Sequence, residues 1–281
     1  MSTSVPAVVD EAAHGLLDHV CHGYDGPAEL ATHAVPYLAA GLRLGQRAVV
    51  VAPAAEHAFA EHLAAGAVEA VGGGAVEVVD FGSVYGSGGV DTPATSARVR
   101  SVLAGALQQG FSGLRAVGLL TEAVRDPRER EAFAAWEHAV GRWQSAAPVA
   151  TACSFDRSVL GEVAVHDLAC LHPRALGSGL PVPFRLYFRH GRLVLDGEVD
   201  SFGAALLRRA VAHVTPVPGE RLVIDARGLT FVNHRGLEAL VEGLARPAGG
   251  LTLLGTNALP GLLRDRFGIG ADVLDVLPWV G

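Results

Sequence analysis

Two α/β units in tandem are the architecture this sequence predicts, and three observations carry that expectation. Short apolar runs suited to buried strands alternate with helix-periodic stretches through residues 33–155. That order builds a mostly parallel sheet covered on both faces. A Gly/Ser/Pro-rich stretch, RALGSGLPVP at 174–183, then interrupts the pattern and reads as a linker. Half of the 281 residues are hydrophobic and 18% are charged, enough for one or two cores and too apolar for a disordered chain.

In the first unit, apolar residues at helical spacing over 33–43 predict a helix that stops at Gly45. Residues 48–53 (AVVVAP) read as a buried strand, 55–65 as a helix and 76–81 (VEVVDF) as another strand. Asp91-Thr92-Pro93 supplies a cap and first turn for a helix over 95–109. A strand at 114–120, a helix at 128–145 and a strand at 149–155 complete the alternation. In the second unit, short strands at 185–188 and 192–195 flank the turn residues His190-Gly191. A helix at 201–213, a buried strand at 221–225, a helix at 233–244, a strand at 251–255 and a final helix at 260–267 follow. Leu237, Leu240, Val241 and Leu244 fall at i, i+3, i+4 and i+7, on one face of the 233–244 helix.

Composition excludes several functions. The 22 basic residues are all arginine, so Schiff-base chemistry and a P-loop lysine are ruled out. Residues 1–181 carry 19 acidic side chains against 11 arginines, and residues 182–281 carry 10 against 11. Neither half has a basic stripe for nucleic acid. No apolar run approaches the roughly 18–20 residues of a membrane span, and the N-terminal stretch lacks the basic region of a secretory signal. Cys21, Cys153 and Cys170 are too few and too scattered for a disulfide framework, which points to the cytoplasm. The Gly72–Gly74 run precedes a strand, and the glycines at 86–89 lack dinucleotide-loop spacing. Nucleophile-elbow and HExxH motifs are absent, so no catalytic residue is expected.

Site candidates concentrate between residues 18 and 25. His19, Cys21 and His22 crowd together, with Cys153, Cys170 and His172 downstream, and all are metal-ligand types. There is no CxxC pair, and positions i, i+2 and i+3 meet at one ion only in an irregular loop. Structural histidines and inert buried thiols are therefore the expectation, with no metal and no cofactor assigned. Tyr24 and Asp25 open a turn into a helix, where capping is the ordinary role. Arg115 and Glu122 flank the 114–120 strand, and at its carboxyl end a carboxylate can line a ligand crevice. His19, Cys21, His22, Tyr24, Asp25, Arg115, Glu122 and Cys153 are thus the ligand-binding candidates.

Two resemblances extend this reading. His19-Val-Cys-His22-Gly-Tyr24-Asp25 and Pro36-Tyr-Leu-Ala-Ala-Gly41-Leu, followed by Gly110-Phe-Ser-Gly-Leu-Arg115, Cys153-Ser-Phe-Asp156 and Leu168-Ala-Cys-Leu-His172-Pro173, resemble the MEDS-type sensory domain over about residues 16–176. The resemblance implies a RecA/KaiC-like layered sheet without a P-loop, and a sensor of small molecules or cell state attached to an output domain. Where that family has an acidic-Met-Ser-Trp segment, this chain reads Gly118-Leu-Leu-Thr-Glu122.

Residues 184–281 resemble a STAS domain of the anti-sigma factor antagonist type, through Gly191-Arg-Leu-Val-Leu-Asp-Gly-Glu-Val-Asp200 and Leu222-Val-Ile-Asp225 to Asn233-His-Arg-Gly-Leu237. Phosphorylatable members begin this helix Asp-Ser-[Ser/Thr]-Gly-Leu. His234 stands at the serine, which removes the hydroxyl a kinase needs. Asn233 still caps the helix, while Arg235 sits at its positive end. The expected organisation is an extension (1–15), a sensory domain (16–176), a linker (177–183) and a STAS-like domain (184–281). The expected function is a non-enzymatic signalling protein that docks an anti-sigma factor or kinase-like partner. Asp200, Ser201, Asn233, His234, Arg235 and Gly236 form the docking surface. Alternatives are a nucleotide- or metal-binding sensor or a degenerate RecA-like ATPase domain using the His19–Asp25 segment, and a scaffold whose first domain drives homo-oligomerisation.

Overall fold

Valine and alanine dominate the runs that form the central strands of the first sheet, because a strand covered on both faces buries nearly every position. A computed structural model describes residues 19–86, 89–177, 182–215, 217, 219–244, 251–255 and 274–277. In it, β1 (His19–Tyr24), β2 (Arg47–Ala52), β3 (Val76–Asp80), β4 (Leu114–Leu119), β5 (Val149–Asp156) and β6 (Arg174–Leu176) pair in parallel. Their order is β3-β2-β4-β5-β1-β6. Helices α1 (Pro27–Arg43) and α2 (His57–Val71) cover one face through Leu30, Tyr37, Leu38 and Leu63. Helices α3 (Phe81–Tyr85), α4 (Thr92–Gln108) and α5 (Pro127–Gln144) cover the other. They are joined, after the single turn α6 (Arg157–Leu160), by α7 (Glu162–Ala169).

Caps fix where these helices begin. Asp91 Oδ1 accepts from the Ala94 N–H at 2.8 Å, as the sequence predicts, and Asp126 does the same for Arg128 at 2.8 Å ahead of Pro127. The His/Cys segment, to which the sequence pattern assigns no element, is an interior strand, β1, all six positions buried, hydrogen-bonded to β5 on one side and β6 on the other. Residues 174–176, assigned to the start of the interruption, supply that second neighbour. The α7 helix also has no counterpart in the sequence reading.

The second sheet is mixed. Strands β7 (Phe184–Arg189) and β8 (Arg192–Val199) form an antiparallel hairpin. Its turn residues His190 (φ 48°) and Gly191 (φ 74°) both take the left-handed conformation that matches strand twist. Strands β9 (Leu222–Ala226), β10 (Leu229–Val232), β11 (Leu251–Gly255) and β12 (Leu274–Leu277) add in parallel, giving β10-β8-β9-β11-β12. The sequence reading lacked β10 and β12. Helices α8 (Ser201–Ala212) and α9 (His234–Leu244) pack tightly on each other, and a Cβ on Gly243 would run into Val211 Cγ1. The expected 1–15 extension, residues 178–181 of the linker and the 260–267 helix lie outside the described residues.

The two sheets share packing. Ala134 of α5, Cys170 and Leu171 belong to the same apolar cluster as Phe184, Leu186 and Leu207. The Leu186 N–H donates to the Cys170 carbonyl at 2.7 Å. Arg142 donates to the Thr215 carbonyl at 3.1 Å and lies over the Phe188 ring at 4.1 Å. Among the described residues, no helix is long and apolar enough to cross a membrane.

Candidate functional site

Strand parity decides which members of the His19–Asp25 segment can meet. Alternate side chains of a strand point to opposite faces. Cys21 therefore packs with Val49, Val51 and Cys153 beneath α5, whereas Val20 and Tyr24 join the core beneath α1. His19 falls on the Cys21 side. The β1–β5 register sets His19 opposite Thr151 and Cys21 opposite Cys153. From above, α5 presents Glu137, four residues after Phe133 and three before Val140, on the buried stripe of that helix. His172 enters from the segment that follows α7.

These four side chains converge. The His19 Nε2, Glu137 carboxylate, Cys153 Sγ and His172 ring nitrogens offer donor atoms that all lie within 4.8 Å of one another, and every one of the four residues is buried. His19 Nε2 is 3.0 Å from Glu137 Oε2, and His172 Nε2 is 3.6 Å from the same oxygen. The Cys153 thiol donates to Glu137 Oε1 at 3.4 Å and stands 3.9 Å from His19 Nε2. The two imidazole rings are 4.3 Å apart between centroids. On its far side, His172 Nδ1 is 2.9 Å from the Leu168 carbonyl, which assigns the proton to Nδ1 and leaves Nε2 as a lone pair facing the cluster.

Burial and charge oppose each other here. Burial alone would raise the Glu137 pKa, but the neighbouring His172 and His19 rings, with the hydrogen bond from the Cys153 thiol, hold it down at about 2. Glu137 is a carboxylate. Burial lowers His172 to about 4 against the pull of Glu137, so its ring is neutral at physiological pH. Burial, then the Glu137 charge, pushes the Cys153 thiol well up.

An apolar cavity of about 180 Å³ opens beside the cluster, between the sheet and helices α4 and α5. His19, Glu137 and Cys153 line it together with the apolar Val49, Tyr85 and Trp136, and Arg47, Glu77 and Arg98 also form part of its wall. A smaller space of about 130 Å³ lies on the other side of His19, between Gly141 and Gln144 of α5 and Phe188 and His190 of the β7–β8 hairpin.

The other first-region candidates separate from this site. His22 points to the α1 side, its ring 5.4 Å from His33 and edge-on to Tyr37. Cys21 is fully buried, and burial raises its pKa well above the ordinary value. The Tyr24 hydroxyl is 3.4 Å from Thr121 Oγ1, and burial pushes its pKa to about 12. Asp25 pairs with Arg157 at 2.8 Å at the strand ends. Arg115 lies on the α1 face of β4, where it donates to Gln46 Oε1 at 2.7 Å and covers the Tyr37 ring at 4.5 Å. Glu122 is exposed and pairs with Arg125 at 3.1 Å. Arg115 and Glu122, expected to flank a crevice at the carboxyl end of β4, thus lie apart from the His19–Glu137–Cys153–His172 cluster. Glu137 escaped the sequence reading, although a lone carboxylate on an otherwise apolar helical stripe was its available signal. His172 is of a metal-ligand type by sequence, but only the fold brings it to this point.

The second region's candidates do come together. Asp200 Oδ1 caps α8 by accepting from Phe202 and Gly203 N–H at 3.0 and 2.7 Å. Asn233 Oδ1 caps α9 by accepting from Gly236 N–H at 2.9 Å, and its Nδ2 donates to Ser201 Oγ at 2.9 Å. The two helix starts are therefore stitched side by side. His234 and Arg235 project from them as exposed side chains, and Gly236 is buried where a Cβ would meet Val199 Cγ1 at 2.7 Å.

The first region is thus a parallel sheet wrapped by helices, with polar side chains turned inward beside a small cavity. Residues 18–173 match the sequence model of the MEDS family (MEthanogen/methylotroph, DcmR Sensory domain), and the chain belongs to that family. The family's sensory character gives the chain a sensory or signalling role. The match ends before the second sheet begins. No curated protein and no solved structure matches the chain.

Proposed function

We propose that this chain is a non-enzymatic cytoplasmic signalling protein whose first region receives a small apolar molecule and whose second region, a STAS-type module, docks an anti-sigma factor or kinase-like partner. One observation carries the reading. Neighbouring residues of α5 face the two halves of the molecule: Glu137 closes the cavity, and His138 Nε2 is 3.0 Å from the Ala210 carbonyl of α8. Any shift of α5 that follows cavity occupancy is therefore delivered to α8, whose N-terminus is tied to α9 through Ser201 and Asn233. The cavity suits a ligand of benzene-like size, since an apolar void of about 150 Å³ binds benzene.

Support for docking lies at that stitched edge. Phe202, next to Ser201, is 89% exposed and Phe231, two residues before Asn233, is 51% exposed. Solvent-exposed aromatics beside two helix starts are the composition of a protein interface, where aromatic anchors dominate. With histidine at 234, docking proceeds without phosphorylation at the helix start. All three cysteines are free thiols, in keeping with a reducing compartment.

Co-purification of the full chain with mass spectrometry tests the reading. The wild type is expected to retain a protein with a kinase-type ATPase fold or an anti-sigma factor. Phe202→Asp and His234→Asp should lose it, and residues 228–237 should carry no phosphate. Failure to retain such a partner, or equal retention by both variants, overturns the docking assignment.

A further inference from the structure

We propose that His19, Glu137, Cys153 and His172 form a tetrahedral binding site for a divalent zinc-class metal ion. The inference goes beyond the sensory and docking reading and stands whether or not the second region binds a partner.

The first ground is an electrostatic mismatch. His172 Nε2 has no hydrogen-bond partner, because the ring proton is committed to the Leu168 carbonyl through Nδ1. Glu137 Oε2, 3.6 Å away, has none either, and its 3.0 Å approach to His19 Nε2 lacks hydrogen-bond geometry. Two acceptors thus face each other in a fully buried space, His172 and Glu137 being 0% and 2% exposed. Buried polar atoms without partners are rare and costly, and a cation between them resolves the conflict.

Donor spacing is the second ground. For metal–nitrogen and metal–oxygen bonds of about 2.0–2.2 Å and a metal–sulfur bond of about 2.3 Å, a tetrahedron has edges of about 3.3–3.6 Å. The separations of 3.0 and 3.6 Å from Glu137 Oε2 to the histidines, and 3.4 and 3.9 Å from Cys153 Sγ to Glu137 and His19, bracket that value. Donor chemistry then selects the ion. Two imidazoles, a thiolate and a carboxylate suit zinc and its neighbours, whereas magnesium and calcium require oxygen donors. Thiolate and carboxylate together neutralise a dipositive ion. Binding would transfer the Cys153 thiol proton to solvent as the sulfur–metal bond forms. The Nδ1 contact of His172 with the Leu168 carbonyl is the outer-shell support that metal-bound histidines ordinarily have.

Such an ion would join β1, β5, α5 and the segment after α7 at one point, against the cavity and within one residue of the His138 contact to α8. The test uses the full-length protein, stripped with a chelator and titrated with Zn²⁺ and, separately, Co²⁺. One equivalent of either should bind, and Co²⁺ should give the visible bands of a four-coordinate site with a thiolate-to-cobalt charge-transfer band in the near ultraviolet. Cys153→Ser should abolish that band and weaken Zn²⁺ binding by more than about 100-fold, the upper range for losing a single outer-shell partner. Cys170→Ser, which removes a buried thiol outside the cluster, should change neither. Folded wild-type protein that takes up no stoichiometric Zn²⁺ or Co²⁺ overturns the assignment, and so does a charge-transfer band that survives in Cys153→Ser. The wild-type titration decides even if a variant fails to fold.

Discussion

The two regions place their polar groups in opposite ways. Of the twelve polar or charged side chains that are buried among the described residues, eleven belong to the first region, and Thr252 alone to the second. The second region keeps its distinctive residues, Asp200, Asn233, His234 and Arg235, at helix starts on the surface. Burying a polar group costs folding free energy unless a partner is supplied. The first region therefore carries that cost at Glu137, His172 and His19, and the second keeps its core apolar and its unusual residues at its rim.

The two regions differ in chemistry yet share one apolar cluster, and the largest expected effect tests that joint. Phe133 is fully buried on α5, beside Trp136 and below the cluster. Phe133→Ala should cost about 3–5 kcal/mol. Because Ala134 and Leu171 pack into the second region's core, both sheets should unfold in one transition. Hydrogen exchange read by mass spectrometry checks this, with β4 and β9 losing protection together. Loss of protection confined to the first sheet would break the joint and leave two independent domains.

A middle-sized effect sharpens the rim side of the contrast. Asn233→Ala removes a cap and the tie to Ser201, and should lower stability by about 1 kcal/mol, within the usual 0.5–2 range. His234→Ala, at an exposed position, should stay within about 0.5 kcal/mol of wild type. Thermal denaturation of the two variants separates capping from docking at adjacent positions. Equal losses would mean that His234 has a structural role that its exposure does not suggest.

How far the sequence was legible follows the same divide. Strands β2, β4, β5 and β9 were readable because valine, alanine and leucine runs leave no other burial pattern, and Asp91 announced the start of α4. β1 was not, since HVCHGY carries four polar or titratable side chains and neither alternation nor an apolar run. It becomes a strand only because β5 and β6, far along the chain, flank it. The same non-local pairing hid the site. His19 and Cys153 are 134 residues apart and meet through the β1–β5 register, while Glu137 arrives from a helix whose periodicity reveals its buried face but not what lies beneath. In the second region the candidates come from the STAS resemblance, and of the two caps that hold the helix starts together only that of Asn233 is read from the local sequence.

The smallest effect concerns charge on the second region's surface, where a cleft of the hairpin is lined by Arg189, Arg192, Asp225 and Arg227. Hydrogen bonding from Arg227 holds the Asp225 carboxyl below its ordinary value, despite an opposing contribution from burial. Arg227 Nε donates to Asp225 Oδ1 at 2.7 Å, and Arg192 approaches within 4.0 Å. A carboxylate whose folded pKa is depressed contributes stability that is fully present above its unfolded pKa of about 3.9 and is lost as pH falls through the folded value. Wild type should therefore be more stable than Asp225→Asn by a constant margin from pH 7 to about 5, and the margin should close below about pH 4. Denaturant titrations at stepped pH measure it. A margin that persists in acid would show that Asp225 acts through packing or a neutral hydrogen bond, and the rim would then owe its stability to contacts of the kind that fill the first region's interior.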